Sequence, residues 1–452
     1  MRLLSKALLP VFALMISVPT MGLITKADEP QVFPLQNGDV WVMAGDSITA
    51  QHLHSNYFEA FCFARYPQLK FSFRNSGVGG HTIPSTLARF DYDVAGWKPT
   101  VVSVELGMND AGGTSREAFL NNMKTWLQRV RSIQARPVLF SPSPVNDGST
   151  MAKLATRNVR LSEYSTDLRT LADQEHLPYA DQFHALVDIW GQNKENEQLS
   201  NFIGSAKTFA ANDAIPGVNH LREFLKVQHD LPQKPISMQG DAVHPGPCGQ
   251  LMMAAALLKG LGANGFVSSV SLDADGKNLM AKGCQITEVS AADGTITFER
   301  LDDALPFPIP ADAASVLPMA TDVFDLSQYT LQVKDLKAGN YQLKLNGVLV
   351  AKLSAEDLSK GVNLTAYGPH MLPEKGNPLA VQGTAILNAV SAKEGLVSQW
   401  RGLSKTAASN KEKNPATQTQ LEELNKKIED ADAAIRQAAQ PQKLKFEISP
   451  AS

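Results

Sequence analysis

The feature that most constrains this chain is the alternation, between about residues 36 and 262, of short buried-type strands with helix-length amphipathic segments. Val40-Trp41-Val42-Met43 reads as a strand ending at Gly45, and a helical stretch runs from about Ala50 to Arg65. Leu69 to Arg74 alternates apolar and polar residues and ends at Gly77, and the β-branched run Val101 to Leu106 ends at Gly107. Thr114 and Glu117 have capping-box spacing for a helix whose apolar face is Phe119, Met123, Trp126, Leu127 and Val130. Pro137 to Phe140 is a further strand, and Leu154, Leu161, Tyr164, Leu168 and Leu171 mark another amphipathic helix. Strands separated by whole helices cannot pair as hairpins. Right-handed crossovers and a parallel sheet covered on both faces follow, and the α/β fold class with them. With 43% hydrophobic and 19% charged residues, the chain can fill such a core.

Residues at about 186–238 break the rhythm, and their place before a later Asp-His segment suits a lid or substrate wall as well as it suits surface decoration. From about 265 the pattern is different. Asp293-Gly294 lies between Ile286–Val289 and Ile296–Phe298, and Asn346-Gly347 follows the alternating Tyr341, Leu343 and Leu345, so a small antiparallel β unit is expected. Leu421, Leu424, Ile428, Ala431, Ile435 and Ala438 then form one apolar helical stripe, suited to folding back on the body or to a short coiled coil. Leu444, Phe446 and Ile448 alternate like a last strand. The expected organisation is therefore an export signal at 1–27 and an α/β domain at 28–264. A small β-rich domain follows at 265–372, then a helical C-terminal region at 373–452.

The export reading rests on Arg2 and Lys6, an uncharged run from Ala7 to Thr25, and the small-x-small site Thr25-Lys26-Ala27. It implies a secreted or periplasmic protein; the rival reading is an uncleaved anchor, which Pro10, Pro19 and Gly22 disfavour. No later segment is apolar enough to span a membrane, and stable insertion after cleavage is not expected. A net charge of −3 without a large basic block argues against nucleic acid as a partner. Cys62, Cys248 and Cys284 allow at most one internal disulfide and form no paired-cysteine metal site.

Four short blocks carry the chemistry. Gly45-Asp46-Ser47-Ile48-Thr49 follows the first strand, where a serine at a strand-to-helix turn presents its hydroxyl over the carboxyl edge of the sheet. Asn75-Ser76-Gly77-Val78-Gly79-Gly80-His81-Thr82 follows the second, and its glycines let a backbone N–H approach a ligand. Gly107-Met108-Asn109-Asp110 follows the third, where an asparagine can aim its amide at a developing oxyanion. Asp241-Ala242-Val243-His244-Pro245 sets a carboxylate and an imidazole three residues apart, close enough to bond within one turn. Each block alone has an ordinary explanation as a cap or a turn. Together they supply what an acyl-transfer site needs: a nucleophile, oxyanion donors, a base and the acid that orients it.

In these blocks the chain resembles the SGNH, or GDSL, hydrolase superfamily, over about residues 36–262. The resemblance implies a flavodoxin-like three-layer α/β/α sandwich and an ester hydrolase needing no metal or cofactor. It implies Ser47 as nucleophile, His244 as base and Asp241 as its orienter. The oxyanion hole would be made by the Ser47 and Gly80 N–H groups and the Asn109 side chain. Ile48 stands where leucine is usual, and His81 where a small acid or amide is usual. His81 and Asp46 are candidates for contact with substrate, His81 being equally open to packing or solvent. The remaining histidines, His54, His176, His184, His220, His229 and His370, read as surface or packing residues. The expected substrate is a small-molecule or glycan ester, with carbohydrate O-acetyl groups favoured; lipid or thioester cleavage is the alternative. Two rivals stand further off. One is a metal-dependent hydrolase using Asp241, His244, His81 or His52-x-His54, for which the chain lacks a His-Glu-x-x-His helix. The other is a non-catalytic scaffold built on the β unit and the last helix.

Overall fold

A computed structural model describes residues 32–145, 156–192, 206–214, 218–219, 221–222, 225, 241–317, 320–367, 376–410 and 414–451. The export signal expected at 1–27, most of the interruption at 186–238, and His220, His229 and His370 lie outside the described residues.

The strands β1 (Asp39–Gly45), β2 (Phe71–Gly77), β3 (Val101–Glu105), β4 (Arg136–Phe140) and β5 (Tyr179–Ala180) form one sheet in the order β2-β1-β3-β4-β5. Every pair in it is parallel. This is the flavodoxin-like order, whose direction reverses between β1 and β3; ligands of such sheets bind outside the carboxyl ends of the strands at that reversal. β1 is buried along nearly its whole length because it faces two cores. Trp41 and Met43 point into the layer containing Phe58, Phe61 and Phe73. Val42 and Ala44 point into the layer containing Phe119, Trp126 and Tyr164.

The helices that matter for the site are α1 (Ser47–Ala50), α2 (His54–Arg65), α3 (Ile83–Ala88), α4 (Phe90–Asp93), α5 (Arg116–Ser132), α6 (Thr156–Glu175), α7 (Gln182–Gln192) and α8 (Pro247–Gly260). The single helix expected over 50–65 is two, because His52 adopts a left-handed φ of 59° between α1 and α2. The cap of α5 is Ser115, whose hydroxyl accepts from the Ala118 N–H at 3.2 Å, rather than Thr114.

Beyond the α/β body, β6 (Phe266–Asp273), β7 (Met280–Lys282), β10 (Gln328–Lys334) and β13 (Val362–Asn363) form a four-stranded sheet in which β10 runs parallel to β6. β8 (Cys284–Ala292), β9 (Thr295–Asp302), β11 (Asn340–Leu345), β12 (Val348–Ser354) and β14 (Leu444–Pro450) form an antiparallel sheet of order β12-β11-β14-β9-β8. The expected turns at Asp293-Gly294 and Asn346-Gly347 join β8 to β9 and β11 to β12, with positive φ at both turn residues. The last strand enters the middle of this sheet, so the chain's end closes the β unit.

The two long helices α9 (Pro378–Ser409) and α10 (Pro415–Ala438) pair with each other and fold back over the β2 edge of the parallel sheet. Edge strands left bare are sites of wrong pairing, and a covering helix removes that hazard. Here the cover is ionic as well as apolar. Lys393 is fully buried, bonded to Glu59 at 2.8 Å, to Glu394 at 2.5 Å and to the Phe73 carbonyl at 2.9 Å. Arg74 of β2 bonds Asp432 of α10 at 2.8 Å. Cys62, Cys248 and Cys284 form no disulfide with one another. Among the described residues no helix is long and apolar enough to cross a membrane.

Candidate active site

Ser47 is the first residue of α1, at the carboxyl end of β1. Asp46 caps that helix, its carboxylate accepting from the Ile48 N–H at 2.9 Å. The tight passage from strand to helix is possible because the neighbouring strand ends in glycine: a Cβ on Gly77 would lie 2.4 Å from the Ala50 nitrogen. The chain beyond Gly77 turns over at Val78–His81. The turn is closed by the His81 N–H on the Val78 carbonyl at 3.3 Å, with Gly80 at φ +75°, which glycine adopts without steric cost. This loop passes beside the serine, since a Cβ on Gly79 would meet the Ser47 Cβ at 3.9 Å.

The structure brings the fourth block to the same place. The Ser47 hydroxyl is 2.7 Å from His244 Nε2, and His244 Nδ1 is 2.8 Å from Asp241 Oδ2. The other Asp241 oxygen accepts from the Val243 and His244 N–H groups at 2.7 and 2.8 Å. Those bonds, led by the His244 N–H, hold the Asp241 carboxyl down at about 2. An ionised Asp241 accepts from Nδ1–H, which leaves Nε2 as the ring's bare acceptor facing Ser47. The turn is not the cap of the following helix: α8 is capped by Gly246, and the Asp241–His244 turn stands apart, ahead of it.

Asn109 joins the first two blocks. Its amide donates to the His81 carbonyl at 3.0 Å and, at a longer 3.4 Å, to Asp46. Asp46, read from the sequence as a candidate substrate contact, is 1% exposed, and its oxygens face the Ile48 N–H and the Asn109 amide. Burial pushes its carboxyl up to about 6. His81 is half-buried. Its Nδ1 accepts from Arg89 Nε at 3.2 Å, which puts the ring proton on Nε2, and burial together with the Arg89 charge lowers its pKa.

Sequence reading missed the polar layer beneath. Glu105, at the end of β3, is 3% exposed and accepts from Thr49 Oγ1 at 2.9 Å and from Gln182 at 3.0 Å. Burial, then the Asp46 charge, raises it well above the usual carboxyl range. Gln250 of α8 accepts from the His54 N–H and ring, at 2.9 and 2.6 Å, and donates to Gln51 at 2.7 Å, tying the base of the His244 turn to α1 and α2. A charged residue within the β-branched-rich run Val101–Leu106 was a usable signal for Glu105; nothing in the local pattern marked Gln250. Among the described residues no three His, Cys, Asp or Glu side chains gather as metal ligands; His52 and His54 turn instead to Glu394 and Gln250.

Residues 43–203 match the model of the GDSL-like Lipase/Acylhydrolase family. An acetylxylan esterase of Geobacillus stearothermophilus is 24% identical over 199 residues, 44% of this chain and 76% of that protein. Among solved structures, a gut microbial diltiazem-metabolizing enzyme superposes with a TM-score of 0.67 at 18% identity, covering 93% of this chain and 99% of the other. At that identity the likeness speaks for the fold, and its coverage extends through the β unit and the C-terminal helices. A parallel β2-β1-β3-β4-β5 sheet together with these matches defines an ester hydrolase of the α/β class. Over residues 43–203 the chain is similar to the SGNH, or GDSL, hydrolase superfamily.

Proposed function

We propose that the chain hydrolyses carboxylic esters through an acyl-enzyme formed on Ser47. The observation that carries this reading is the unbroken chain of hydrogen bonds from Asp241 through His244 to Ser47, ending beside the glycine loop and Asn109. In the first step Ser47 Oγ attacks the ester carbonyl and its proton passes to His244 Nε2, the imidazolium being stabilised by ionised Asp241. The oxyanion is held by the Ser47 and Gly80 N–H groups and the Asn109 amide. The weaker Asn109 bond, at 3.4 Å to Asp46, is the one exchanged for the oxyanion, while the bond to the His81 carbonyl keeps the amide aimed. His244 then gives its proton to the leaving alcohol. In the second half it takes a proton from water, whose oxygen attacks the acyl-enzyme, and it returns that proton to Ser47 Oγ as the acyl–oxygen bond breaks and the acid is released. Asp46 acts by orienting Asn109 rather than by touching substrate.

Carbohydrate O-acetyl esters are the favoured substrates. Support comes from the 24% identity to an acetylxylan esterase and from an amino terminus that reads as an export signal, which would place the enzyme outside the cytoplasm with polymeric substrates. The test is a panel of acetylated xylo-oligosaccharides, long-chain p-nitrophenyl esters and acyl thioesters, run on wild type and Ser47→Ala. The expected result is Ser47-dependent release of acetate from the sugars with the highest kcat/KM of the panel. Preference for long acyl chains or thioesters would replace the carbohydrate assignment.

A further inference from the structure

β2 is the edge strand of the parallel sheet, and side chains from the C-terminal helices meet its outward carbonyls in series. Arg436 donates to the Phe71 carbonyl at 3.0 Å, Lys393 to that of Phe73 at 2.9 Å, and Arg401 to that of Gly77 at 3.0 Å. The first two lie along the strand, away from the chemistry. The third does not: Gly77 is the root of the Val78–His81 loop beside Ser47.

Arg401 does more there than cover an edge. Its guanidinium forks onto Asp93, Nε to Oδ1 at 2.5 Å and Nη2 to Oδ2 at 2.8 Å, while Nη2 also reaches Gly77. Asp93 in turn pairs with Arg89. Arg89 donates to the Ser76 hydroxyl at 2.7 Å, the Ser76 carbonyl at 2.8 Å, the Gly45 carbonyl at 3.3 Å and the His81 ring at 3.2 Å. Two arginines sharing one aspartate thus hold the end of β1, the end of β2 and the far side of the glycine loop. All three charges are sequestered: the side chains of Arg89 and Asp93 are 4% exposed and that of Arg401 is 14%. Burial opposes ionisation of Asp93, but bonds from Arg401 and then Arg89 hold its pKa below the ordinary value. The helix is seated by separate contacts, Ser404 Oγ on the Tyr92 carbonyl at 2.8 Å and the Trp400 ring against Trp97.

We propose that Arg401 is a positioning residue of the active site, supplied by a helix more than three hundred residues from the loop it holds. This role rests on the reading of Ser47, Gly80 and Asn109 given above. A planar fork that bonds a carboxylate and a carbonyl together fixes a direction that a lysine ammonium on a flexible stem does not. A displacement of the oxyanion donors by about 1 Å can cost about 10²-fold in rate.

The experiment compares Arg401→Ala, Arg401→Lys and Ser404→Ala in the full chain, using p-nitrophenyl acetate, the rate of Ser47 labelling by a fluorophosphonate, and the melting temperature. Arg401→Ala is expected to lower kcat by about 10- to 100-fold with KM within about twofold, and to slow labelling in parallel, because the phosphonyl oxygen occupies the same hole. Added guanidinium ion at low millimolar concentration should restore part of the lost kcat. Arg401→Lys should fall short of wild type, and it carries the test if the alanine variant does not fold. Ser404→Ala loosens the same helix without touching the loop and should keep kcat within about twofold. Normal kcat and labelling in Arg401→Lys and Arg401→Ala would overturn the role. So would losses in the Arg401 variants that Ser404→Ala reproduces at equal change in melting temperature. Retention of activity by Ser47→Ala would instead remove the reading of the site itself, and this role with it.

Discussion

Two Asp-x-x-His turns in this molecule have almost the same internal geometry and different surroundings. In one, Asp241 accepts from the His244 N–H at 2.8 Å and the His244 ring at 2.8 Å, and Nε2 lies 2.7 Å from Ser47. In the other, Asp181 accepts from the His184 N–H at 3.0 Å and the His184 ring at 2.8 Å, and Nε2 lies 3.2 Å from Ser162. Both aspartates are held below their ordinary pKa, Asp181 against the effect of its burial. A Ser-His-Asp chain of hydrogen bonds is therefore not enough to define a site. Asp181 stands immediately before α7 with its carboxylate on the His184 N–H, so it serves as a helix cap, and Ser162 is on a solvent-facing turn of α6, bracing two helices. Ser47 stands at the reversal point of the sheet, beside a glycine turn and an asparagine amide that can receive negative charge. Acyl transfer needs oxyanion donors as much as a base, and among the described residues it is the proposed site at Ser47 that has candidates for them close by.

The comparison can be broken most decisively at the two serines. Ser47→Ala should lower ester hydrolysis on the order of 10⁶-fold, whereas Ser162→Ala should leave it within about twofold. At the two aspartates, Asp241→Asn should cost about 10⁴-fold, because the imidazole loses the partner that fixes its tautomer, and Asp181→Asn should cost nothing in rate. Asn109→Ala should lower kcat by about 10²–10³ with the melting temperature little changed, a loss with no counterpart at the Ser162 site. The smallest effect is on stability. Burial raises Asp46 to about 6 from an ordinary 3.8, so the folded state binds that proton more tightly than the unfolded chain, and stability falls as pH rises through this interval. Asp46→Asn removes the penalty. Its melting temperature should exceed wild type by about 2 °C at pH 7.5 and match it at pH 4.

How much of this was legible beforehand differs between the same two regions of the chain. The strands ending at Gly45, Gly77 and Glu105 and the four blocks were visible because a parallel sheet puts its ligand-facing residues directly after its strands, so local pattern and site coincide. The Asp181–His184 pair has the same spacing as Asp241–His244 and drew no notice, since nothing near it in sequence supplied a partner; Ser162 meets it only once α6 and α7 pack. Arg89 and Arg401 were illegible for a related reason. Their importance comes from backbone carbonyls at Gly45, Ser76 and Gly77, which carry no side-chain signature, and from a helix reaching back across the whole chain. The β unit was readable as hairpins from its turns, but the insertion of β14 between β9 and β11 depends on non-local pairing that alternation alone cannot specify.

The most direct test of the central claim is to treat the protein with a fluorophosphonate and locate the adduct by peptide mass spectrometry. A single adduct on Ser47, with activity lost in proportion to labelling and Ser162 unmodified, is the result expected. An adduct on Ser162, or full inactivation with Ser47 unmodified, would contradict it.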